Sequence, residues 1–424
     1  MYNYVVDFME THHVIYKYQF GFRQKHSTQQ AIITLVNKIT SCVDTGDLVI
    51  GVFLDLKKAF DTVDHGILLS KLYAYGIRGS ILQWFESYLS NRSQYVTYDG
   101  IRSSTQYLKC GVPQGSILGP LLFVIYINDI YNVSQLLFTV LYADDTCVLL
   151  SGKDLDDPLN VINRELQQLS IWLKANKLSL NLSKTSYMIF HRARFKIPNN
   201  CETVIMNNCT IDQVECLKYL GVILDSKISW IPHIAYVKNK ISKGIGIMYQ
   251  ARKHLDKQSL LKLYNSYIYP YLTYCIESWG NAPRCHLDPL YITQKKIVRI
   301  ITFANYDAPS DVIFKHLNVL PLYNLVQNRI GLLMYKQVNG MLPEVMSEMY
   351  TTNNEIHEHF TRNCNMLHTN KCKTNTFVRS FSNVSPRIWN AIQRKINVNV
   401  SIVVFKTALK LFLQENILEI NYPK

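Results

Sequence analysis

Three aspartates stand at positions where their carboxylates could act together. Asp55 follows the apolar run LVIGVFL (48–54), and Asp144 and Asp145 lie inside the apolar segment LLFTVLYADDTCVLL (136–150). If these runs are neighbouring strands, the three carboxylates meet at one edge of a sheet. Clustered carboxylates repel one another and persist chiefly by holding divalent cations. The alternative is an ordinary hairpin turn at Asp144–Asp145 and an ordinary strand-end residue at Asp55.

The chemistry open to such a cluster is phosphate chemistry. Oxygen ligands favour Mg²⁺ or Mn²⁺. Two such ions, about 3.5–4 Å apart, activate an attacking hydroxyl and stabilise a leaving phosphate oxygen. The three aspartates therefore predict a two-metal site that uses Mg²⁺ or Mn²⁺.

Strands are predicted wherever short apolar, β-branched runs occur. The run at 48–56 predicts a strand that ends on Asp55, and 136–150 predicts two strands around a tight turn at Asp144 and Asp145. Further strands are predicted at 94–109, at SYMIF (186–190) and at LKYLGVIL (217–224).

Helices are predicted from periodicity and caps. The polar cluster GFRQKHST (21–28) opens one helix, Asp64 and Ser80 are predicted to cap two more, and Pro120 lies near the start of another. A leucine-rich helix follows, with Leu159, Ile162, Leu166, Leu169 and Leu173 on its apolar side. From about 228 the chain becomes helical and basic, and 233–262 predicts a helix with many lysines.

Composition favours a globular protein with a polyanionic partner. The 424 residues are 48% hydrophobic and 18% charged, a length that predicts about three structural units. Lys and Arg total 45 against 31 Asp and Glu, a net charge of +14 that favours nucleic acid as the partner.

Cysteine usage and hydropathy indicate the compartment. The ten cysteines form no CxxC pair, so reduced thiols in an intracellular protein are expected. The longest apolar candidate, 117–127, contains Gly119 and Pro120, and the first ten residues lack a signal-peptide pattern. The prediction is an intracellular protein, in the nucleus, the cytoplasm or both, without a membrane span.

Six short motifs occur in an order that resembles reverse transcriptases. FLDLKKAFD (53–61), GVPQGSILGP (111–120) and YADD (142–145) resemble palm motifs A, B and C of these enzymes. The segments GFRQKHST, NLSKT (181–185) and LKYLGVILD (217–225) resemble the fingers block, motif D and the primer-grip motif E. The motif sequences resemble those of LINE-type (non-LTR) retrotransposons with jockey-like features. The resemblance is strong over about 15–260 and looser beyond it.

The resemblance implies an α+β fold of the right-hand polymerase type, with fingers, palm and thumb, an antiparallel palm sheet and a helical C-terminal extension. The implied divisions are partial fingers at 1–47, a palm with interleaved fingers elements at 48–227, thumb and connection at 228–300, and the extension at 301–424.

The resemblance also implies roles for the residues in the motifs. Asp55 and Asp144 would bind both metals, with Asp145 as the third carboxylate. Phe60 would be the steric gate against a ribose 2′-OH, although a core aromatic at this position is the alternative.

The remaining implied roles concern nucleotide and primer. Gln114 and Gly115 would contact the incoming nucleotide and template, and Tyr142 would lie against the primer end. Lys184 would protonate the departing pyrophosphate, with a solvated surface lysine as the alternative. Arg23 is predicted to contact the triphosphate.

Other features of the second half are more ambiguous. The lysines of 233–262 would meet the phosphates of a template–primer duplex, or they form a solvated helix face. Four tyrosines are expected to be core residues rather than stacking platforms: Tyr264, Tyr267, Tyr271 and Tyr274. Cys364, His368 and Cys372 invite a zinc interpretation but lack a fourth ligand at suitable spacing.

The implied function is RNA-directed DNA polymerase, with an RNA template, a DNA primer and dNTPs as partners. The oligomeric state is left open. Before the fingers block, Met1–Phe20 carries neither the endonuclease domain nor the basic strands typical of such elements, so no nuclease activity is expected. The alternatives are a nucleic-acid-binding remnant without activity and an RNA-binding maturase.

Overall fold

A computed structural model gives the fold of the protein and describes residues 1–192, 195, 203–356 and 364–418. The chain divides into two compact units. The first comprises Met1–Ser27, Asp47–Phe190 and Arg194–Val214, and the second comprises Thr28–Gly46, His191–Ala193 and Glu215–Lys424. The four divisions expected from the sequence do not coincide with these two units and stay a prediction.

The helices of the described residues, in chain order, are α1 (Tyr2–Thr11), α2 (Thr28–Thr45), α3 (His65–Ala74), α4 (Gly79–Leu89), α5 (Leu118–Ile127), α6 (Asp156–Ala175), α7 (Ile231–Ala251), α8 (Lys257–Leu263), α9 (Tyr269–Thr273), α10 (Ile276–Trp279), α11 (Arg284–Ile301), α12 (Ser310–His316), α13 (Leu322–Val338), α14 (Glu344–Ser347), α15 (Asn353–Ile356), α16 (Asn375–Val378), α17 (Phe381–Gln393) and α18 (Ile402–Glu415). Two 3₁₀ segments, Ala59–Asp61 and Asn128–Val133, and a π-helical segment, Tyr264–Ile268, complete them.

The strands are β1 (Leu48–Leu54), β2 (Ser93–Gln94), β3 (Thr97–Tyr98), β4 (Ile101–Arg102), β5 (Gln106–Tyr107), β6 (Phe138–Tyr142), β7 (Asp145–Gly152), β8 (Ser186–Phe190), β9 (Ile205–Met206), β10 (Cys209–Thr210), β11 (Asp212–Gln213), β12 (Cys216–Tyr219) and β13 (Val222–Asp225).

The first unit is built on a five-stranded sheet in the order β11-β8-β1-β7-β6. Its central strand β1 is buried along its whole length, as its unbroken apolar sequence predicts. β1 pairs antiparallel with β7 and with β8, and β6 pairs antiparallel with β7. The short edge strand β11 runs parallel to β8, so the expectation of a wholly antiparallel sheet is wrong at that edge.

Two helices supply much of the first unit's core. α6 packs against β7 and β1, and its predicted leucine and isoleucine face is buried. α5 follows the Gly/Pro loop and is apolar nearly all round, which is why it is buried on almost every side. The helix predicted after Asp64 is α3, and its cap is confirmed because the Ile67 N–H donates to Asp64 Oδ1 at 3.0 Å.

The second unit is mainly helical. α7 packs on α11 and β13, α13 packs on α17 and α18, and α2 packs on α10, α16 and α17. Asp44 fixes the end of α2 to the region near 374. Its Oδ1 accepts the Lys373 N–H at 2.9 Å, the Thr374 N–H at 2.6 Å and the Thr374 hydroxyl at 2.7 Å. These bonds lie within the second unit and explain why α2 belongs to it although it follows residues of the first.

Some predicted details are wrong. α4 begins at Gly79 with Arg78 in the cap position, so Ser80 is not its cap. The basic helix 233–262 is two helices, α7 and α8, with Asp256 capping the second through the Ser259 N–H at 3.0 Å.

The tyrosines expected in the core are divided between two environments. Tyr264 is buried as expected and Tyr271 is half-buried, whereas Tyr267 and Tyr274 each expose 41% of their surface, so the core prediction is wrong for these two. Tyr274 reaches the β12–β13 turn, where its hydroxyl donates to the Leu220 carbonyl at 2.7 Å.

Within the described residues, every helix is too short or too polar to cross a membrane.

Candidate active site

The end of β1 and the β6–β7 hairpin bring the three aspartates to one edge of the sheet. Leu54 pairs with Thr146 in antiparallel register, so Asp55, one residue after Leu54, comes beside Asp145, one residue before Thr146. Asp144 lies in the hairpin loop next to them. The prediction that these runs are adjacent strands is therefore confirmed.

The tight turn lies one residue earlier than predicted. Tyr142 pairs with Asp145, so the loop residues are Ala143 and Asp144, and Asp145 already belongs to β7. Ala143 has φ +55°, a left-handed conformation that costs a residue with a Cβ about 1–2 kcal/mol. Some other contact must hold this backbone in place.

The carboxylates of the site interact through their charges. Desolvation by the surrounding protein and the charge of Asp55 raise the pKa of Asp144 above its usual range. Desolvation and the charges of Asp144 and Asp55 raise the pKa of Asp145 to about 6. A cation beside these groups would relieve both penalties, so the donor set fits hard divalent ions such as Mg²⁺ and Mn²⁺.

Asp55 is also held by the segment before β8, which runs beside the end of β1. Asn181 Nδ2 donates to Asp55 Oδ2 at 2.9 Å, and the Asn181 N–H donates to the Asp55 carbonyl at 2.8 Å. In the part of the chain that the structure describes, no three His, Cys, Asp or Glu side chains already form a group that could hold a metal ion. The aspartates are thus close enough to repel one another but are not drawn together into a coordination shell.

The contact of Asn181 with Asp55 was not predicted from the sequence. Its signal was its position in NLSKT, three residues before Lys184, but only the fold shows that this segment runs beside the end of β1. Lys184 has an exposed side chain, which fits a surface lysine as well as a proton donor.

Phe60 and the Gly/Pro loop lie next to each other. The Val112 N–H donates to the Phe60 carbonyl at 2.9 Å, and Gln114 Nε2 donates to Asp61 Oδ1 at 2.8 Å. Gln114 and Gly115 are exposed, and Gly115 has φ +82° with open space where a Cβ would stand. The structure therefore places Phe60, Gln114 and Gly115 in one neighbourhood.

The Phe60 ring has both an inner and an outer contact. It stacks on the buried Phe123 with ring centroids 4.5 Å apart, and the half-exposed Phe22 meets it edge-on at 6.1 Å. The ring thus lies at the margin of the core, which is compatible with the gate role and with the core role.

Tyr142 and Arg23 differ in how much of the side chain is free to contact a primer or nucleotide. Tyr142 is half-buried beside Asp145, and desolvation together with the Asp145 charge raises its pKa. The Arg23 side chain is only 9% exposed and pairs with Glu10 through Nη2 at 2.6 Å and Nε at 2.9 Å. Its Nη1 donates to the Tyr16 carbonyl at 3.0 Å and the Gln19 carbonyl at 3.2 Å. Arg23 thus has a structural role, and its contact with a triphosphate stays a prediction.

The cysteines considered for zinc have polar neighbours of their own. Cys364 Sγ lies 3.6 Å from Asn365 Oδ1, Cys372 Sγ lies 3.5 Å from the Asn370 carbonyl, and His368 Nδ1 lies 3.2 Å from Asn353 Oδ1.

Comparison with known proteins identifies the family. Residues 1–224 match the family described as reverse transcriptase (RNA-dependent DNA polymerase). This match covers more than half of the chain, and the chain belongs to the reverse transcriptase family.

Two curated relatives are similar over most of the chain. The RNA-directed DNA polymerase from mobile element jockey of Drosophila funebris is 30% identical over 305 residues, which cover 70% of this chain and 33% of the relative. The probable RNA-directed DNA polymerase from transposon X-element of Drosophila melanogaster is 26% identical over 330 residues, covering 76% of this chain and 36% of the relative. The chain thus spans about a third of the length of these relatives.

Among solved structures, apo telomerase from Candida tropicalis aligns with a TM-score of 0.40 and 9% identity, over 74% of this chain and 50% of that one.

Proposed function

We propose that the chain is the RNA-directed DNA polymerase of a LINE-type (non-LTR) retrotransposon with jockey-like features. The reaction adds a dNTP to a primer: the primer 3′-OH attacks the α-phosphate, a P–O bond forms, and the bond to the leaving pyrophosphate breaks. The observation that carries the proposal is the meeting of Asp55, Asp144 and Asp145 at one sheet edge, with the pKa of Asp145 raised to about 6.

The carboxylates would hold the catalytic cations. Asp55 and Asp144 are the proposed ligands of two Mg²⁺ or Mn²⁺ ions, with Asp145 as the third carboxylate. Such ions, when bound, lower the pKa of an attacking hydroxyl and neutralise charge on the leaving oxygens. Asn181 would keep one Asp55 oxygen pointing away from the other carboxylates, which limits their repulsion before the ions bind.

The neighbouring residues would select and place the nucleotide. Phe60 is the proposed steric gate, because its ring lies at the margin of the core and within the neighbourhood of Gln114 and Gly115. Gln114 and Gly115 would contact nucleotide and template through an exposed loop with no Cβ at residue 115. Tyr142 would lie against the primer end, and the exposed Lys184 would protonate the departing pyrophosphate.

The proposed macromolecular partners are an RNA template and a DNA primer. Exposed lysines on α7 and α8, among them Lys238, Lys243 and Lys262, would meet the duplex phosphates. Under this proposal the sheet unit corresponds to the palm of a right-hand polymerase and α7–α8 to part of its thumb, and the site of action is the nucleus, the cytoplasm or both.

The test is primer extension on poly(rA)/oligo(dT) with dTTP and Mg²⁺. Asp144→Asn should abolish incorporation, because it removes one negative charge and a ligand where transition-state charge develops. Asp154→Asn is the matched control, since Asp154 is exposed just beyond the opposite end of β7 and should leave the rate unchanged.

Each outcome separates the proposal from its alternatives. Incorporation by Asp144→Asn at the wild-type rate would refute the assignment of the carboxylates. Tight, salt-dependent binding of primer–template with no incorporation by the wild-type chain would favour the nucleic-acid-binding remnant instead.

A further inference from the structure

A buried glutamine connects the N-terminal segment to the catalytic hairpin. Gln19 is fully buried, and its Oε1 accepts the Gly21 N–H at 2.8 Å and the Ala143 N–H at 3.0 Å. Ala143 is the left-handed loop residue that immediately precedes Asp144. The glutamine thus contacts the one backbone position in this turn whose conformation an L-residue disfavours.

The backbone on either side of Gln19 strengthens the connection. The Leu141 N–H donates to the Tyr18 carbonyl at 3.0 Å, and the Phe20 N–H donates to the Leu141 carbonyl at 2.8 Å. These two bonds form a short parallel bridge between Gln19 and Leu141, at the end of β6. The side-chain bond to Ala143 extends this bridge beyond the strand and into the loop.

The orientation of the Gln19 amide follows from its partners. Both neighbouring groups are N–H donors, so only the amide oxygen can face them. The amide nitrogen is buried, and among the described residues it has no hydrogen-bond partner. The orientation that leaves the amide nitrogen unpaired is the one that places the oxygen between the Gly21 and Ala143 N–H groups.

Gly21 allows the close approach that the contact requires. A Cβ added at residue 21 would lie 2.3 Å from the Ala143 nitrogen and 2.9 Å from the Tyr142 carbonyl carbon. Both of these are backbone atoms, so a side chain at residue 21 would push the loop away.

Arg23 stabilises the same segment through its backbone carbonyls. Its guanidinium binds the Tyr16 and Gln19 carbonyls while it pairs with Glu10. The residue predicted to bind a triphosphate therefore holds the backbone of the residue that contacts the hairpin.

We propose that Gln19 is a positioning residue for the polymerase reaction: its amide oxygen holds Ala143 in the left-handed conformation and so keeps Asp144 at the sheet edge beside Asp55. Gln19 does not touch substrate. It acts through the loop backbone. The effect on catalysis rests on the proposed polymerase function, whereas the effect on the loop does not.

The test compares two glutamines that do the same structural task in different units. Gln19→Met removes the oxygen acceptor at nearly the same side-chain volume. Gln327→Met is the matched control, because Gln327 is also buried and clamps the Leu418 backbone, accepting its N–H at 3.0 Å and donating to its carbonyl at 2.8 Å.

The direct readout is amide hydrogen exchange, measured by mass spectrometry on peptides that contain residue 143 or residue 21. Gln19→Met should convert the Ala143 amide, and with it the Gly21 amide, from slow to fast exchange, while Gln327→Met leaves both slow. This measurement needs no activity, so it tests the contact even if the chain proves not to be a polymerase.

The kinetic readout separates positioning from general stability. Gln19→Met should lower kcat by about 10- to 100-fold, as expected for a misplaced catalytic group, with the KM for dTTP changed by less than about twofold. Gln327→Met should leave kcat unchanged. If Gln19→Met does not fold, Gln19→Asn makes the same test, because its shorter side chain withdraws the oxygen from Ala143.

Two results would overturn the proposal. Slow exchange at Ala143 in a folded Gln19 variant would show that the contact does not hold the loop. Fast exchange at Ala143 with an unchanged kcat would show that the contact does not position Asp144.

Discussion

Gly21→Ala offers a quantitative test of the packing of residue 21 against the β6–β7 hairpin. The new Cβ would lie 2.3 Å from the Ala143 nitrogen, whereas real Cβ contacts are essentially never shorter than 3.0 Å. The segment at residue 21 and the loop must therefore separate by about 0.7 Å or more. Because the obstructing atoms are all backbone, no side-chain rotation relieves the clash.

The expected cost follows from this displacement. Overpacking of this kind destabilises by about 1–3 kcal/mol. The shift also lengthens the bond from the Ala143 N–H to Gln19 Oε1, which is 3.0 Å before the substitution. With a urea m-value of about 3 kcal/mol/M, the unfolding midpoint of the first unit should fall by about 0.3–1 M.

Gly246→Ala is the matched control, and it should raise the free energy of unfolding instead of lowering it. Gly246 lies inside α7, and a Cβ there meets no atom within 4 Å. Alanine stabilises a helix relative to glycine, and here it meets no obstacle, so the free energy of unfolding of the second unit should rise by about 0.5–1 kcal/mol. The assay is urea unfolding followed by circular dichroism, with hydrogen exchange to assign each transition to its unit.

The unfolding midpoints of the two variants together can refute the close approach at Gly21. If Gly21→Ala unfolds at the same urea concentration as the wild type and Gly246→Ala is stabilised as expected, the close approach between residues 21 and 143 does not exist in solution. In a folded Gly21→Ala variant, the same displacement should also lower polymerase kcat, by up to about 100-fold.

Two further predictions concern the site itself. The ordinary aspartate pKa is 3.8, and the pKa of Asp145 in the folded protein is raised to about 6. Between these two pH values, in EDTA, the native state binds more protons than the unfolded state. The free energy of unfolding should therefore fall as the pH rises through this window. Asp145→Asn should therefore be more stable than the wild type at pH 7 in EDTA and no more stable below about pH 4. Mg²⁺ should stabilise the wild type more than the variant, which keeps Asp55 and Asp144 but lacks the third carboxylate. Equal thermal melting temperatures of the two proteins at pH 7 in EDTA would contradict the repulsion. Phe60→Ala should raise the ratio of kcat/KM for rNTP to that for dNTP, because removing the ring opens space for a 2′-OH. An unchanged ratio in an active variant would show that the Phe123 stack makes Phe60 an ordinary core residue.

Several elements of the first unit could be predicted from sequence because their signals are local. β1 is an unbroken apolar run, α6 repeats its leucines at helical spacing, and Asp64 caps α3 through a residue three positions away. The motifs around Asp55 and Asp144 led to the same family that the comparison identifies. In these cases the residues that determine the structure lie within a few positions of one another.

The register of the hairpin and the pairing of the edge strand needed the fold. Which two residues form the β6–β7 loop depends on cross-strand pairing, so the turn moved by one residue to Ala143 and Asp144. The tyrosines near residue 270 occur in similar local sequence but differ in exposure, because the packing of neighbouring helices decides which of them is buried.

The supports of the aspartates could be seen only in the tertiary structure. Asn181 reaches Asp55 across 126 residues of sequence, and Gln19 reaches Ala143 across 124. An amide or a guanidinium looks the same in a sequence whether it binds a ligand or a distant backbone group. Arg23 is an example, because its motif predicts a contact with a triphosphate while the fold pairs its guanidinium with Glu10 and two backbone carbonyls. The motifs therefore predict the chemistry proposed for the three aspartates, because the residues of a motif lie close together in the chain. The residues that hydrogen-bond to Asp55 and Ala143 follow only from contacts between segments more than 120 residues apart.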